Sequence, residues 1–136
     1  MSINIKYLGC TDYEKTLENM KYFIDQSTTN EELWITEHQP IFTTGVNKKD
    51  CKIPDTNIPH LFVDRGGRTT YHGPGQLIIY TLINIKKNTL SIRELVSILE
   101  NSVIDFLTKN KINSYSKIEA PGVFIDGGKI CSIGLR

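Results

Sequence analysis

Residues 65–76 of this chain read Arg65-Gly66-Gly67-Arg68-Thr69-Thr70-Tyr71-His72-Gly73-Pro74-Gly75-Gln76, a segment that we call the glycine stretch. It lies between two apolar runs, residues 61–63 and 77–83, whose β-branched and aromatic side chains are typical of strands. Most connections are only ~2–6 residues long, so ligand binding explains this polar stretch better than chain reversal alone. The sequence therefore predicts a binding loop between two strands.

The chemistry of the glycine stretch indicates a ligand that touches backbone. Gly66 and Gly67 have no Cβ atom, so their N–H groups are open to a carboxylate, a phosphate or a carbonyl. Arg65 and Arg68 add positive charge beside them. The alternative is that Gly-Gly and Gly-Pro-Gly are ordinary turn residues of a hairpin, the commoner meaning of a glycine pair taken alone.

Size and composition limit the classes of protein. The 136 residues predict one domain over residues 1–136. Sixteen basic and fifteen acidic side chains give a net charge of +1 without a long basic run, which argues against nucleic acid as a partner. No signal peptide and no apolar run of ~18 residues is evident, so we expect a cytoplasmic protein without a membrane partner. Cys10, Cys51 and Cys131 are expected to be free thiols.

Residues 3–44 predict a strand, a helix and two more strands. The first strand is expected at residues 3–8, and Thr11 to Glu14 form a capping box that starts a helix ending near Gln26-Ser27. The core stripe of that helix is predicted to be Tyr13, Leu17, Met20 and Ile24. Strands are expected at residues 33–36 and 41–44, separated at Pro40, and a polar loop at residues 45–59.

Residues 91–133 predict a second helix followed by strands. Ser91 and Glu94 form a capping box for a helix at about residues 92–109. Its core-facing stripe is predicted to be Ile92, Leu95, Val96, Leu99, Val103, Phe106 and Leu107. A strand is expected at residues 112–116, and a hairpin at 122–133 turning at Asp126-Gly127-Gly128. The mixture predicts an α+β (mixed α/β) fold.

Several long motifs run through the chain in order. They are Glu37-His38-Gln39-Pro40, Thr43-Thr44-Gly45, Asp64-Arg65-Gly66-Gly67, Thr70-Tyr71-His72-Gly73-Pro74-Gly75-Gln76-Leu77, Ala120-Pro121-Gly122-Val123 and Gly128-Lys129-Ile130-Cys131-Ser132-Ile133-Gly134-Leu135-Arg136. Together they make the chain resemble the lipoyl(octanoyl) transferase family, octanoyl-[acyl-carrier-protein]:protein N-octanoyltransferases. The resemblance implies a biotin/lipoate protein ligase catalytic-domain-like sheet with packed helices.

The resemblance also implies an activity. Members move an octanoyl group from octanoyl-acyl carrier protein to lysines on the lipoyl domains of 2-oxoacid dehydrogenases and the glycine cleavage H protein, the first step of protein lipoylation. The implied mechanism passes through an acyl-cysteine and uses no metal, ATP or other cofactor. Lys129 matches the family's catalytic lysine, which would lower a thiol pKa and transfer a proton. Without the resemblance, a lysine beside a Gly-Gly turn is usually solvated.

The remaining site residues are also carried over from the resemblance. The implied acyl-substrate contacts are Arg65, Gly66, Gly67, Arg68, Thr69, Thr70, Tyr71, His72, Ser132, Ile133 and Gly134. For His72 we expect hydrogen bonding in the pocket rather than a general-base role. His38 and His60 lie near prolines and are expected to be structural or solvated.

One family feature has no counterpart in these residues. The family's nucleophilic cysteine lies in an Asn-Pro-Cys-Gly-like segment beyond the lysine motif, and the 136 residues contain no such segment. We therefore expect the C-terminal part of the catalytic domain to be missing. Cys131 could form a substitute dyad with Lys129 if both side chains share a strand face, but packing is the expected role. The alternatives are an inactive or split acyl-binding fragment and an ATP-dependent lipoate/biotin protein ligase.

Overall fold

A computed structural model describes residues 3–26, 30–49, 51–53 and 55–136. The elements in chain order are β1 (Ile3–Thr11), α1 (Tyr13–Asp25), β2 (Glu31–His38), β3 (Ile41–Thr44), β4 (His60–Phe62), β5 (Thr69–His72), β6 (Ile78–Leu82), α2 (Ile92–Lys109), β7 (Tyr115–Ser116), β8 (Gly122–Ile125) and β9 (Gly128–Ser132). The predicted α+β, mixed α/β class is confirmed. Within the described ranges, no helix is long and apolar enough to cross a membrane.

The chain divides into two compact units, residues 1–84 with Arg136 and residues 85–135. A single domain over residues 1–136 stays a prediction. The first unit holds two three-stranded sheets. One has the order β1-β2-β6, with β1 parallel and β6 antiparallel to β2. The other has the order β4-β3-β5, with β4 parallel and β5 antiparallel to β3.

The prediction of one continuous loop at residues 65–76 is wrong. Thr69–His72 form β5, which pairs with β3 from Thr44 opposite Thr69 to Ile41 opposite His72. Two β-branched threonines and a tyrosine suit a strand, and β3 supplies a partner that local sequence does not reveal. The glycine stretch is therefore a Gly-Gly turn, a short edge strand and a Gly-Pro-Gly turn.

The N-cap of the first helix lies one residue later than predicted. Asp12 is the N-cap and accepts from the Lys15 N–H at 2.9 Å, whereas Thr11 ends β1. Tyr13 and Met20 are buried as predicted, but Ile24 is 59% exposed and Thr16 is buried in its place. The buried Thr16 hydroxyl donates to Thr11 Oγ1 at 2.9 Å.

The other helix and strand boundaries in the first unit lie close to those predicted from the sequence. The helix α1 ends at Asp25 with Gln26 as its C-cap, and Ser27 lies outside the described residues. The strands β2 and β3 confirm the two strands predicted around Pro40. Among the described residues of the predicted loop 45–59, none belongs to a helix or strand, and positions 50 and 54 lie outside the description.

The second unit contains α2 and a sheet of order β7-β8-β9. The predicted bounds of α2 and its capping box are confirmed: Glu94 N–H donates to Ser91 Oγ at 3.2 Å, and Ser91 N–H donates to Glu94 Oε2 at 2.7 Å. In the predicted stripe, Leu95 and Leu107 are buried, but Ile92 is 61% and Phe106 64% exposed. The polar Glu100 is buried instead.

The predicted hairpin in the second unit is confirmed. The strands β8 and β9 pair antiparallel across Asp126 and Gly127, whose φ angles of 48° and 83° are those of a two-residue type I′ turn. The predicted strand at residues 112–116 shortens to β7, Tyr115–Ser116. The hairpin carries the lysine of the candidate site.

Candidate active site

The second half of the glycine stretch is a type II turn. Pro74 and Gly75 occupy its central positions, Gly75 has a φ of 88°, and Gln76 N–H donates to Gly73 O at 3.1 Å. The Gly75 N–H donates to Glu37 Oε2 at 2.8 Å. A Cβ atom at Gly73 would collide with the Tyr71 ring. Each glycine here therefore has a structural reason, and β2 fixes the turn through Glu37.

The carbonyl groups in the first half of the glycine stretch lie close to Gly45. The N–H groups of residues 45–47 donate to the carbonyls of Arg68, Arg65 and Gly67 at 3.3, 3.0 and 3.2 Å respectively. A Cβ atom on Gly45 would lie 2.5–2.8 Å from the carbonyl oxygens of Gly67, Arg65 and Gly66. Within the described part of the chain, the Gly66 and Gly67 N–H groups have no acceptor. Those two donors are available to water or to a ligand.

Arg65 braces the glycine stretch from within. Its half-buried guanidinium donates to Gly66 O at 2.8 Å, to Arg68 O at 3.0 Å, and to the carbonyl and hydroxyl oxygens of Thr43 at 2.9 and 2.8 Å. The fork of N–H donors thus joins the Gly-Gly turn to β3. Arg68 is exposed. The two arginines therefore differ, one holding the turn and one facing solvent.

His72 belongs to a hydrogen-bond chain with a defined direction. Gln76 Nε2 donates to Tyr71 O at 3.0 Å, so its Oε1 faces His72 Nδ1 at 2.8 Å and accepts from it. His72 Nε2 is then the acceptor for Thr43 Oγ1 at 3.1 Å. Burial lowers the pKa of His72, the Gln76 hydrogen bond raises it, and the Arg65 charge lowers it, as a charge on His38 would also do. The imidazole is accordingly neutral near pH 7.

A second histidine lies in the same buried cluster. The His38 side chain is fully buried, with Nδ1 3.0 Å from Thr11 O and Nε2 2.7 Å from Tyr80 Oη. Since a carbonyl only accepts, Nδ1 donates and Nε2 accepts from Tyr80. Tyr13 joins the histidines, stacked on His72 at 5.7 Å and edge-on to His38 at 5.1 Å. Burial lowers the pKa of His38 and raises the pKa of Tyr80, so both stay neutral.

The glycine stretch and the histidine cluster rest on positions that the sequence did not predict as site residues. Glu37 and Gly45 support the glycine stretch, and Tyr13, Thr43 and Tyr80 contact the two histidines. One sequence signal could have revealed part of this network: every second residue of β2, namely Glu32, Trp34, Thr36 and His38, is buried. A polar side chain at an inward position needs a partner, which indicates a buried network.

The remaining predicted contacts in the first unit lie on β5. The Thr69 hydroxyl is 2.8 Å from that of Thr44, which is also 2.7 Å from His60 Nε2. Thr70 pairs with Thr43 across the sheet. Tyr71 is 41% exposed, and its ring lies 5.3 Å from that of Phe42. His60 is thus structural, and Tyr71 presents part of its ring to solvent.

Lys129 is held within the second unit. Its Nζ donates to Pro121 O at 2.9 Å and lies 5.2 Å from the centre of the Phe124 ring. Gly122 has a φ of 136°, and a Cβ atom there would meet Cys131 O and lie 3.2 Å from Lys129 Cε. The Ala-Pro-Gly motif therefore supplies the support on which the lysine side chain rests.

A β-bulge separates Lys129 from Cys131. Phe124 pairs with Lys129 and Val123 with Cys131, so Ile130 is an extra residue in β9. The bulge removes the simple alternation that would place both side chains on one face. Burial raises the pKa of the Cys131 thiol, the Lys129 charge lowers it and the Glu100 charge raises it. The net shift raises the pKa of Cys131 and so opposes thiolate formation.

The other predicted contacts of the second unit lie at the end of the hairpin. Ser132 ends β9 and is followed by Ile133 and Gly134.

Comparison with known proteins agrees with the motifs. Residues 12–136 match the family described as the lipoyl protein ligase A/B catalytic domain, and the chain belongs to this family. The octanoyltransferase of Shewanella frigidimarina is 47% identical over 138 residues, covering 99% of this chain and 64% of that protein. That of Shewanella baltica strain OS155 is 45% identical with the same coverage. That of Hydrogenovibrio crunogenus is 44% identical, covering 100% and 68%. The chain thus spans about two-thirds of the length of these curated relatives, and the predicted family is confirmed.

Proposed function

We propose that this chain provides the acyl-binding loop and the catalytic lysine of an octanoyltransferase. The donor is octanoyl-acyl carrier protein, and the acceptors are lysines on the lipoyl domains of 2-oxoacid dehydrogenases and the glycine cleavage H protein. Similarity to curated octanoyltransferases over nearly the whole chain supports this reaction class. The activity belongs to lipoate biosynthesis and protein lipoylation.

The observation that carries the proposal is the pair of available N–H donors at Gly66 and Gly67. Three carbonyl groups of the Gly-Gly turn are occupied by residues 45–47, and Arg65 braces the turn from the side. A backbone held in this way can donate to a thioester oxygen as negative charge develops on it. In other acyl-transfer enzymes the loss of one such donor costs about 2.7–4 kcal/mol of transition-state stabilisation.

The acyl-transfer steps balance without a cofactor. A cysteine thiolate attacks the thioester carbon, and the carrier leaves as its thiol after gaining a proton. A lipoyl-domain lysine amine then attacks the acyl-cysteine, forms an amide and releases the thiolate. We assign to Lys129 the stabilisation of the thiolate, the donation of a proton to the leaving carrier thiol and the acceptance of the proton that the attacking amine loses. Ser132, Ile133 and Gly134 complete the proposed acyl contacts, together with residues 65–72.

The nucleophile is proposed to be the cysteine of the family's Asn-Pro-Cys-Gly-like segment, which the 136 residues do not contain. Cys131 fits that role poorly because burial raises its pKa. We place the reaction in the cytoplasm, since Cys10, Cys51 and Cys131 are free thiols, as in proteins of a reducing compartment.

The test joins the chain to the family's cysteine-bearing segment in one protein, incubates it with octanoyl-acyl carrier protein, adds a lipoyl domain and measures intact masses. The proposal expects a lipoyl domain heavier by one octanoyl group. It also expects hydroxylamine to remove any octanoyl adduct from the chain. Binding of octanoyl-acyl carrier protein with neither product, although the cysteine-bearing segment is present, would restrict the chain to an acyl-binding role and contradict its part in transfer.

The ligase reaction is a second candidate because the matching family also covers lipoyl protein ligases. It predicts formation of octanoyl-adenylate from octanoate and ATP. Formation of that adenylate, without transfer from the carrier protein, would replace the proposed reaction with an ATP-dependent one.

A further inference from the structure

One buried carboxylate of the second unit has no part in the proposed mechanism. Glu100 lies in the middle of α2 and is 9% exposed, on a helix whose other buried residues are Leu95 and Leu107. Burying a carboxylate is unfavourable unless it is hydrogen-bonded. Its Oε1 accepts from the Gly122 N–H at 2.8 Å in a buried bond. The side chain therefore fixes one peptide group of the motif that precedes β8.

The peptide fixed by Glu100 is the one that supports Lys129. The bond joins α2 to Gly122, and the preceding residue, Pro121, provides the carbonyl oxygen to which Lys129 Nζ donates at 2.9 Å. The Pro121 carbonyl and the Gly122 N–H belong to the same rigid peptide unit. A rotation of that unit would move both hydrogen bonds together.

Two further features direct the lysine to this peptide. Gly122 has no Cβ, which leaves room for Lys129 Cε and Cδ at 3.2 and 3.3 Å from the Cβ position. The bulge at Ile130 changes the direction of the side chains on either side of it. Gly122, the bulge at Ile130 and the Glu100 carboxylate thus all constrain the position of the Lys129 side chain.

We infer that Glu100 is a positioning residue for Lys129, acting through the peptide between Pro121 and Gly122. The contribution of this geometry to octanoyl transfer rests on the proposed function, but the geometry does not. A solely structural Glu100 would stabilise the unit without affecting how Lys129 is held.

The first experiment measures the labelling of Lys129 by a trace amount of acetic anhydride, relative to the exposed Lys109, using mass spectrometry. Glu100→Gln keeps an oxygen acceptor for Gly122, and Glu100→Leu removes it at similar volume. Loss of one hydrogen bond changes an equilibrium by about two- to tenfold. We expect Glu100→Leu to change the Lys129 to Lys109 labelling ratio by that factor, and Glu100→Gln to leave it near wild type. An unchanged ratio in a folded Glu100→Leu variant would overturn the inference.

Glu100→Asp decides the matter if Glu100→Leu does not fold. Its carboxylate is one methylene shorter, so it keeps the charge but loses reach to Gly122. The expected labelling change has the same direction as for Glu100→Leu. A wild-type ratio in Glu100→Asp, with faster hydrogen exchange at Gly122 showing that the bond has broken, would contradict the inference.

A second readout uses octanoyl transfer by the chain joined to the family's cysteine-bearing segment. We expect Glu100→Asp to lower kcat more than it raises KM, with Glu100→Gln restoring kcat. Equal kcat values for the wild type and a Glu100→Asp variant with altered labelling would contradict the positioning role. Failure of the wild-type chain, with the cysteine-bearing segment joined to it, to transfer an octanoyl group would refute the proposed function alone, because the labelling ratio needs no turnover.

Discussion

The glycine stretch and the lysine hairpin (residues 120–134) are built by different means. Residues remote in the sequence hold the glycine stretch: Glu37 binds Gly75 across 38 positions, and Arg65 reaches Thr43 across 22. The hairpin folds around its own turn, Asp126 and Gly127, with Glu100 as a distant support. Changes outside the glycine stretch should therefore disrupt it, whereas the hairpin should respond mainly to changes within it.

The largest expected effect is that of Gly45→Ala. The added Cβ would lie 2.5–2.8 Å from three carbonyl oxygens of the glycine stretch, so backbone must shift. We expect a loss of about 2–3 kcal/mol in the free energy of unfolding, measured by urea denaturation. The control is Gly127→Ala, where φ is 83° but no atom lies within 4 Å, with an expected cost of about 1 kcal/mol. A larger cost at Gly127 would reverse the comparison.

Glu37 offers a more local test of remote support. Glu37→Ala removes the acceptor of the Gly75 N–H, and we expect a loss of about 1 kcal/mol with faster hydrogen exchange at Gly75. Glu37→Gln keeps an acceptor oxygen and should restore most of the protection. Equal hydrogen exchange at Gly75 in Glu37→Ala and wild type would show that the turn is stable without the Glu37 hydrogen bond.

The two regions should also differ in their response to pH. Burial lowers the pKa of His38 and His72, so the unfolded chain, titrating near about 6.5, binds protons more readily than the folded one. This contribution is fully present above about pH 6.5 and is lost as pH falls toward the lowered pKa values. All three histidines lie in the first unit. Protection of amides near His72, corrected for intrinsic exchange, should fall between pH 7 and 5 more than protection in the hairpin.

His72→Asn tests the source of that pH effect. The variant should lessen the loss of protection in the glycine stretch on acidification while leaving the hairpin unchanged. An equal loss in both regions would point to titrating carboxylates instead.

The smallest expected effect concerns the hairpin turn. Asp126 has a φ of 48°, which asparagine adopts readily and valine does not. Asp126→Asn should change the free energy of unfolding by less than about 0.5 kcal/mol, and Asp126→Val should cost about 1–2 kcal/mol. Equal stability of the two variants would argue that the turn does not determine the hairpin.

The same contrast explains what the sequence could predict. The bounds of α2 and the position of the hairpin turn depend on neighbours in the chain, Ser91 with Glu94 and Asp126 with Gly127, so local pattern was sufficient. The strand β5 could not be predicted because its pairing partner, β3, lies outside the glycine stretch. The cap at Asp12 was missed because Thr11 hydrogen-bonds to Thr36 and so belongs to the sheet.

The candidate site also has features that the sequence could predict and features that it could not. The motifs identified the family and the candidate residues, including Gly66, Gly67 and Lys129. They did not indicate that Arg65 is hydrogen-bonded to Thr43 and Gly66, or that the half-buried His72 and the buried His38 are both neutral. Those features depend on burial and on partners that only the folded chain brings together.

The central claim is that the Gly66 and Gly67 N–H groups receive the acyl thioester. The most direct measurement is an amide NMR titration of the ¹⁵N-labelled protein with octanoyl-acyl carrier protein. A parallel titration with acetyl-acyl carrier protein separates binding of the eight-carbon acyl group from docking of the carrier. We predict saturable shifts of the Gly66 and Gly67 amides with the octanoyl form, a weaker response to the acetyl form, and unchanged Gly9 and Gly127 amides. Gly66 and Gly67 amides that do not shift while other residues saturate would contradict the account.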